Sequence, residues 1–73
     1  MAIQIVMDRN GDSRHAFNPD DAQELVTAEQ RFYELTKAGF TAAVRTGPAQ
    51  TSQIRSFDPT AEETVFFPRL VGG

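Results

Sequence analysis

The chain has 73 residues, of which seven are Lys or Arg, ten are Asp or Glu and one is His, giving a formal net charge of −3. This length fits one small domain, and 40% hydrophobic with 23% charged residues is typical of a globular chain rather than a disordered one. The lack of cysteine excludes disulfides and thiolate metal sites, and the negative net charge argues against nucleic-acid binding. The sequence has neither a long apolar run nor a signal-like start, which predicts a cytoplasmic protein without membrane contact.

The N-terminal segment is predicted to form a β-strand. Its apolar residues alternate with polar ones, which is the period-2 pattern of a half-buried strand, at Ile3, Ile5 and Met7. Val6 makes the other face of this strand partly apolar as well. We therefore expect Ile5 to face the single core and Val6 to lie on the opposite, outer face of the sheet.

A turn signal after this strand predicts a β-hairpin. We favour a three-residue loop at 9–11, in which Gly11 takes the left-handed position of a β-bulge. This register pairs Ile3 with Phe17 and gathers the apolar residues on one face. A two-residue loop formed by Asn10 and Gly11 is the alternative.

The clearest predicted element is a helix from about Pro19 to Ala38. Asn18 is the expected N-cap, with Pro19 at the first helical position. Lys37 lies in the last turn, and Gly39 is placed to be the left-handed residue that ends the helix. The predicted core-facing stripe, flanked by Leu35, consists of Ala22, Leu25, Val26, Glu29, Phe32, Tyr33 and Thr36.

Three further strands are predicted after the helix. The first covers 40–45, and a turn at 46–49 leads to a weaker, polar strand over 51–57. The last strand, 64–67, is apolar on both faces, which favours a place in the middle of a sheet. Pro68 cannot donate a ladder hydrogen bond, so regular pairing should weaken there.

This order of elements predicts an α+β fold of the β-grasp (ubiquitin-like) type. Such a fold has a mixed four- to five-stranded sheet with one main helix packed on one face. The resemblance to that fold also implies that the first and last strands lie side by side and parallel at the centre of the sheet. We expect a single domain over residues 1–71 and a flexible Gly-Gly tail at 72–73.

The residue pattern offers no reason to expect catalytic residues, a metal or a bound cofactor. Asp8, Asn10 and Asp12 resemble the start of a calcium loop, but the twelfth position is Pro19, where a bidentate Glu is required. His15 is the only histidine, and we interpret it as structural or exposed. Because a domain of this size buries only about 60% of its unfolded surface, an enclosed active site is unfavourable. We therefore expect function through a surface or a chain end.

The C-terminal segment is the most informative part of the sequence. Its last two residues are Gly72 and Gly73, and a tail without Cβ atoms can enter a narrow channel in a partner enzyme. The last nine residues, Val65-Phe66-Phe67-Pro68-Arg69-Leu70-Val71-Gly72-Gly73, resemble the C-terminus of the sulfur-carrier subunits of molybdopterin synthases. The final four are also similar to the tail of ubiquitin, a relative with the β-grasp fold.

The resemblance implies that the chain is a cosubstrate and not an enzyme. In that family an E1-like adenylating enzyme uses ATP to convert the terminal carboxylate, here that of Gly73, into an acyl-adenylate. Transfer to an amine gives a prokaryotic-type ubiquitin-like modifier, with a conjugating enzyme, an isopeptidase and target proteins as further partners. Attack by sulfur gives a sulfur carrier with a C-terminal thiocarboxylate. We favour the modifier, monomeric when free, and keep a β-grasp interaction module as a third hypothesis.

Partner binding is expected on the outer face of the sheet, next to the tail. Phe66 and Phe67 are adjacent on a strand, so one should point towards the helix and the other away from it. The candidate partner-binding residues are Val6, Phe66, Phe67, Arg69 and Leu70.

Overall fold

The structure of the chain, a computed structural model, describes residues 1–68. Its elements in chain order are β1 (Ala2–Asp8), β2 (Gly11–Phe17), α1 (Ala22–Lys37), β3 (Phe40–Gly47), β4 (Gln50–Ile54) and β5 (Glu63–Pro68). The strands form one mixed sheet in the order β2-β1-β5-β3-β4, in which only the β1–β5 pair is parallel. The helix packs on one face of this sheet. The predicted α+β architecture is confirmed, and its topology is compatible with a β-grasp fold.

The β1–β2 hairpin has a shorter loop than predicted. Asp8 pairs with Gly11, so the loop contains only residues 9–10. Both loops considered from the sequence are therefore wrong, and Ala2 rather than Ile3 pairs with Phe17. Gly11 nevertheless has a φ of 123°, in the region that favours glycine, as the turn chemistry predicted.

The two faces of β1 are reversed relative to the prediction. Ala2, Gln4 and Val6 are buried on the helix side of the sheet, while Ile3 and Ile5 are half-buried on the opposite face. The expectations that Ile5 belongs to the helix-side core and that Val6 lies outside are both wrong. The larger aliphatic side chains of β1 therefore point away from the helix.

Gln4 explains why a polar residue occupies the helix side of β1. Its side chain is fully buried, and its Nε2 donates a hydrogen bond to the Ala28 carbonyl oxygen at 2.9 Å. Its Oε1 accepts a hydrogen bond from Arg31 Nη1 at 3.0 Å. Because both ends of the amide are satisfied, burying Gln4 avoids the penalty of an unpaired polar group and ties the sheet to α1.

The helix begins later than predicted. Asp21 is the N-cap, and its carboxylate accepts hydrogen bonds from the backbone N–H groups of Gln23 and Glu24 at 3.0 and 3.2 Å. The predicted N-cap, Asn18, instead accepts a hydrogen bond from the backbone N–H of Asp20 at 3.0 Å. This arrangement is an Asx turn, which leads the chain into the helix rather than starting it.

The C-terminal end of the helix is as predicted, but its buried stripe is rotated. The last helical residue is Lys37, and Gly39 follows with a φ of 103°. Val26 and Tyr33 are 51% and 44% exposed, and Ala22 and Glu29 are exposed too, so their predicted core positions are wrong. The helix packs against the sheet through Leu25, Ala28, Phe32 and Leu35.

Aromatic side chains dominate the core between helix and sheet. Phe32 from α1 and Phe66 from β5 are both fully buried, and their rings meet edge-to-face at 5.7 Å. The ring of Phe57, from the segment between β4 and β5, packs against two other rings. Its centroid lies 5.8 Å from that of Phe32 and 6.3 Å from that of Phe17. The prediction that Phe32 faces the core is therefore confirmed.

The loop before β5 is stabilised by Asp58. Its Oδ1 accepts a hydrogen bond from the Thr60 hydroxyl at 2.6 Å and another from the Thr60 backbone N–H at 2.9 Å. These bonds, first of all the one from the hydroxyl, lower the pKa of Asp58 below its usual value because they favour the carboxylate.

Replacing Thr60 with alanine is expected to raise the pKa of Asp58. Since the folded-state pKa is the lowered one, the ionised carboxylate stabilises the fold above the unfolded-state pKa, and this contribution is lost as pH falls through the folded-state value. An NMR titration of the Asp58 carboxyl carbon measures the change, with Thr60→Ser as the control that keeps the hydroxyl. An unchanged Asp58 pKa in Thr60→Ala would show that the hydroxyl is not the main cause.

Candidate functional site

The structure separates the residues that the sequence assigned to a partner-binding surface. Phe66 is fully buried under the helix, whereas Phe67 is 39% exposed on the opposite face, so the predicted alternation is confirmed. Val6 lies in the same buried cluster as Phe66, and neither can contribute to the outer face. The remaining predicted residues lie outside the described residues: Arg69, Leu70, Gly72 and Gly73.

Apolar side chains of three central strands come together on the outer face of the sheet. In the register, Ile5 of β1 lies beside Val65 of β5, and Val65 lies beside Ala43 of β3. Because side chains two residues apart on a strand share a face, each strand extends this row along its length. We name the resulting surface the outer patch, which consists of Ile3, Ile5, Met7, Ala43, Val65 and Phe67.

Except for Ala43, which is only 6% exposed, the side chains of the outer patch are half-buried or exposed. Its most exposed members are Met7 at 42% and Phe67 at 39%. The single helix packs on the other face, and no element within residues 1–68 covers this one. A contiguous exposed apolar surface of this kind marks an interaction site more often than isolated exposed residues do.

Charged side chains border the outer patch. Arg14 of β2 lies beside Ile5 in the register and is exposed. On the other side, Arg45 of β3 forms an ion pair with Glu63 of β5, with Nε and Oε2 2.9 Å apart. As both partners are partly exposed, this ion pair adds little stability, about 0–1 kcal/mol. The outer patch thus has an apolar centre and a charged rim, as protein interfaces do.

Sequence reasoning missed most of the outer patch, although the signal was present. The alternation of Ile3, Ile5 and Met7 correctly indicated that they share a face, but that face was assigned to the core under the helix. The run at 64–67 correctly predicts that Val65 lies in a strand that is apolar on both faces, but it does not determine which face Val65 occupies. The unexpected feature is the burial of Gln4 under the helix, which places Ile3, Ile5 and Met7 on the opposite, outer face.

Several other kinds of site find no support within residues 1–68. No group of three or more His, Asp or Glu side chains there is arranged to hold a metal ion, and His15 is a half-buried residue at the edge of a groove. No helix in this part of the chain is long and apolar enough to cross a membrane. Comparison with known proteins adds no relative: no family model, no curated protein and no solved structure matches the chain.

Proposed function

We propose that this chain is a small ubiquitin-like protein modifier of prokaryotic type, acting in the cytoplasm and monomeric when free. In this proposal Gly73 is its C-terminal residue, and its carboxylate is activated by an adenylating enzyme. The observation that carries the proposal is the position of β5, which lies between β1 and β3 at the centre of the sheet and runs into the segment that ends in Gly-Gly. Because β5 pairs with a strand on each side, the place where the chain leaves the sheet is fixed.

The activation step needs an enzyme and a nucleotide that the chain does not supply. A carboxylate oxygen of Gly73 attacks the α-phosphorus of ATP, which releases pyrophosphate and forms an acyl-adenylate. An amine or thiol then attacks the carbonyl carbon and releases AMP. The catalytic groups and the ATP site belong to the adenylating enzyme, so this chain is a cosubstrate and binds no cofactor of its own.

The outer patch is the surface that we assign to the activating enzyme. Its central position on β1, β5 and β3 places it on the strand that leads to the tail, so an enzyme bound there can also receive the last five residues. Phe67 is the best anchor, because it is an exposed aromatic residue one position before the end of β5. Arg14 at the rim, which forms no ion pair within residues 1–68, favours a partner surface that carries a carboxylate.

A sulfur carrier is the second candidate, because Val65-Phe66-Phe67-Pro68 resembles the last strand of the molybdopterin synthase subunits. Both functions begin with the same acyl-adenylate and differ in the nucleophile that attacks it. A persulfide of the enzyme forms an acyl disulfide with Gly73, and a second thiol then cleaves its S–S bond, which leaves a thiocarboxylate on Gly73 and a disulfide on the enzyme. A lysine amine of a target protein instead gives an isopeptide bond. The mass of the product separates the two candidates.

The decisive experiment compares the chain, N-terminally tagged and expressed in its native cell, with a variant that lacks Gly73. We expect the parent chain to form tag-positive species of higher mass with an isopeptide bond from Gly73, and the variant to form none. Deletion of one tail residue should leave the melting temperature almost unchanged, because chain ends contribute little packing. Intact mass spectrometry and thermal unfolding measure the two quantities.

The other outcomes are equally informative. A free chain whose mass shows one sulfur in place of one oxygen would contradict the modifier and favour the sulfur carrier. Equal function of the parent chain and a variant without Gly72 and Gly73 would contradict both, and would leave an interaction module. Replacing Gly72 with leucine is a second test of activation. The bulky side chain should keep the tail out of the narrow channel of the adenylating enzyme, although the Gly73 carboxylate is still present.

A further inference from the structure

A groove with polar and apolar lining residues lies on the helix side of the sheet, between β2 and the first half of α1. Its volume is about 320 Å³. It is remote from the outer patch, which occupies the opposite face, so a ligand site in the groove is independent of the proposed function. The groove is lined mainly by His15, Phe17, Gln23, Glu24, Thr27 and Arg31.

Arg31 is held in this groove by a buried anchor. Its Nη1 donates to Oε1 of Gln4 at 3.0 Å, and Gln4 is itself fixed because its Nε2 donates to the Ala28 carbonyl oxygen at 2.9 Å. Gln4 is completely buried, so the guanidinium is tied to the interior of the fold. A side chain ordered in this way loses less conformational entropy when it binds a ligand.

The positive charge of Arg31 is not neutralised within residues 1–68. The one ion pair in this part of the chain joins Arg45 and Glu63 on the other side of the sheet. The partner of Arg31 is the neutral amide of Gln4, which leaves its remaining N–H donors available to a ligand. A planar guanidinium with free donors matches the two oxygens of a carboxylate.

The surroundings of Arg31 add a second donor and an apolar wall. His15 is the cross-strand partner of Gln4, so their Cβ atoms lie about 5 Å apart and the imidazole borders the same groove. Phe17, only 4% exposed, closes one side. Glu24 is the only carboxylate in the lining, and it lies two helical turns from Arg31. Its Oε1 accepts a hydrogen bond from the backbone N–H of Asn18 at 3.0 Å.

We propose that this groove binds a monocarboxylate with an apolar group next to the acid. The carboxylate pairs with Arg31 and accepts a hydrogen bond from His15, while the apolar group lies against Phe17. A single guanidinium and one imidazole suit a singly charged acid better than a phosphate dianion, which needs more donors. Such a carboxylate is carried either by a free organic acid or by the C-terminal residue of a peptide.

The test is an NMR titration of the full ¹⁵N-labelled chain with benzoate. We expect saturable shifts of the Arg31 Nε–H group and of the backbone amides of His15 and Thr27. Replacing Arg31 with glutamine should weaken binding at least about tenfold, since a hydrogen-bonded charge pair is lost. Arg31→Lys keeps the charge and the fold but loses the planar fork, and should also bind more weakly. The control is Arg45→Gln, which removes the same charge from the outer face and should bind benzoate normally.

Two further ligands complete the design. Tighter binding of N-acetylphenylalanine than of benzoate would assign the groove to peptide C-termini, and equal or weaker binding would assign it to free acids; either supports the proposal. Tighter binding of inorganic phosphate than of both acids would overturn it. Equal benzoate affinities for the parent chain, Arg31→Gln and Arg31→Lys, or shifts that do not saturate, would overturn it as well.

Discussion

Replacing Phe32 with alanine is expected to unfold most of the protein at 25 °C. Phe32 is fully buried, and the centroid of its ring lies 5.8 Å from that of Phe57 and 5.7 Å from that of Phe66. Removing such a ring typically costs about 3–5 kcal/mol, through lost transfer free energy and the cavity left behind. A single domain of this size has only about 3–5 kcal/mol of stability in total. Urea unfolding followed by circular dichroism measures the loss.

Val26→Ala is the matched control for Phe32→Ala. Val26 lies on the same helix but is 51% exposed, so its truncation should change the free energy of unfolding by no more than about 0.5 kcal/mol. A cooperative melt of Phe32→Ala within a few degrees of the parent chain would contradict a core centred on this ring. The pair of variants separates loss of core packing from a general change in helix stability.

Replacing Phe67 with aspartate is expected to reduce conjugation strongly while the fold is kept. Phe67 is partly exposed in the outer patch, so the introduced carboxylate can remain hydrated in the free protein but is desolvated at a partner surface. Loss of an aromatic anchor at the centre of an interface typically costs at least about 2 kcal/mol, a roughly 30-fold loss of affinity. The yield of higher-mass species in the native cell, at equal expression, measures the effect.

Two comparison variants make the Phe67 experiment specific. Phe66→Asp places the same charge one residue earlier, in the fully buried core, and should unfold the chain. Val26→Asp places it on the exposed face of α1 and should leave both folding and conjugation intact. Normal conjugation by a folded Phe67→Asp protein would remove the outer patch from the proposed function.

The C-terminal end of the helix and the character of the last strand were predictable because the residues that determine them lie close together in sequence, whereas the parallel pairing of β1 and β5 was expected only from the resemblance to the β-grasp fold. Gly39 ends the helix where a left-handed residue is needed, and its φ of 103° agrees with that expectation. The run at 64–67 is apolar on both faces, and β5 is indeed a central strand. For these elements, the residue type and the structural requirement lie within a few positions of each other along the chain.

The face of β1 was not predictable because the contacts that decide it are distant in sequence. Gln4 is buried only because Ala28 and Arg31 supply its hydrogen-bond partners. Hydropathy alone favours Ile3 and Ile5 for the core, and it cannot anticipate an amide satisfied by a helix 24 and 27 residues away. The outer patch was missed for the same reason, since it contains the residues that this error placed under the helix.

The helix start was ambiguous for a different reason. Asn18, Asp20 and Asp21 are all good N-cap residues within four positions, and residue type alone cannot choose among them. Asp21 is the cap because its carboxylate reaches two free backbone N–H groups.

The buried face of the helix was ambiguous for a related reason. Val26 and Tyr33 are apolar, as Leu25 and Phe32 are, so the helix has two plausible core-facing sides. Packing against the sheet selects the side that carries Leu25 and Phe32.

The central position of β5 also determines when the chain can fold. β1–β2 and β3–β4 are hairpins that do not pair with each other, and within the sheet only β5 joins them, with Ile3 opposite Glu63, 60 positions later in the sequence. Isolated hairpins are marginally stable in water, and contacts between distant residues form slowly. During synthesis the sheet therefore remains open until β5 has left the ribosome, and the strand that leads to the Gly-Gly tail is the last one needed to close it.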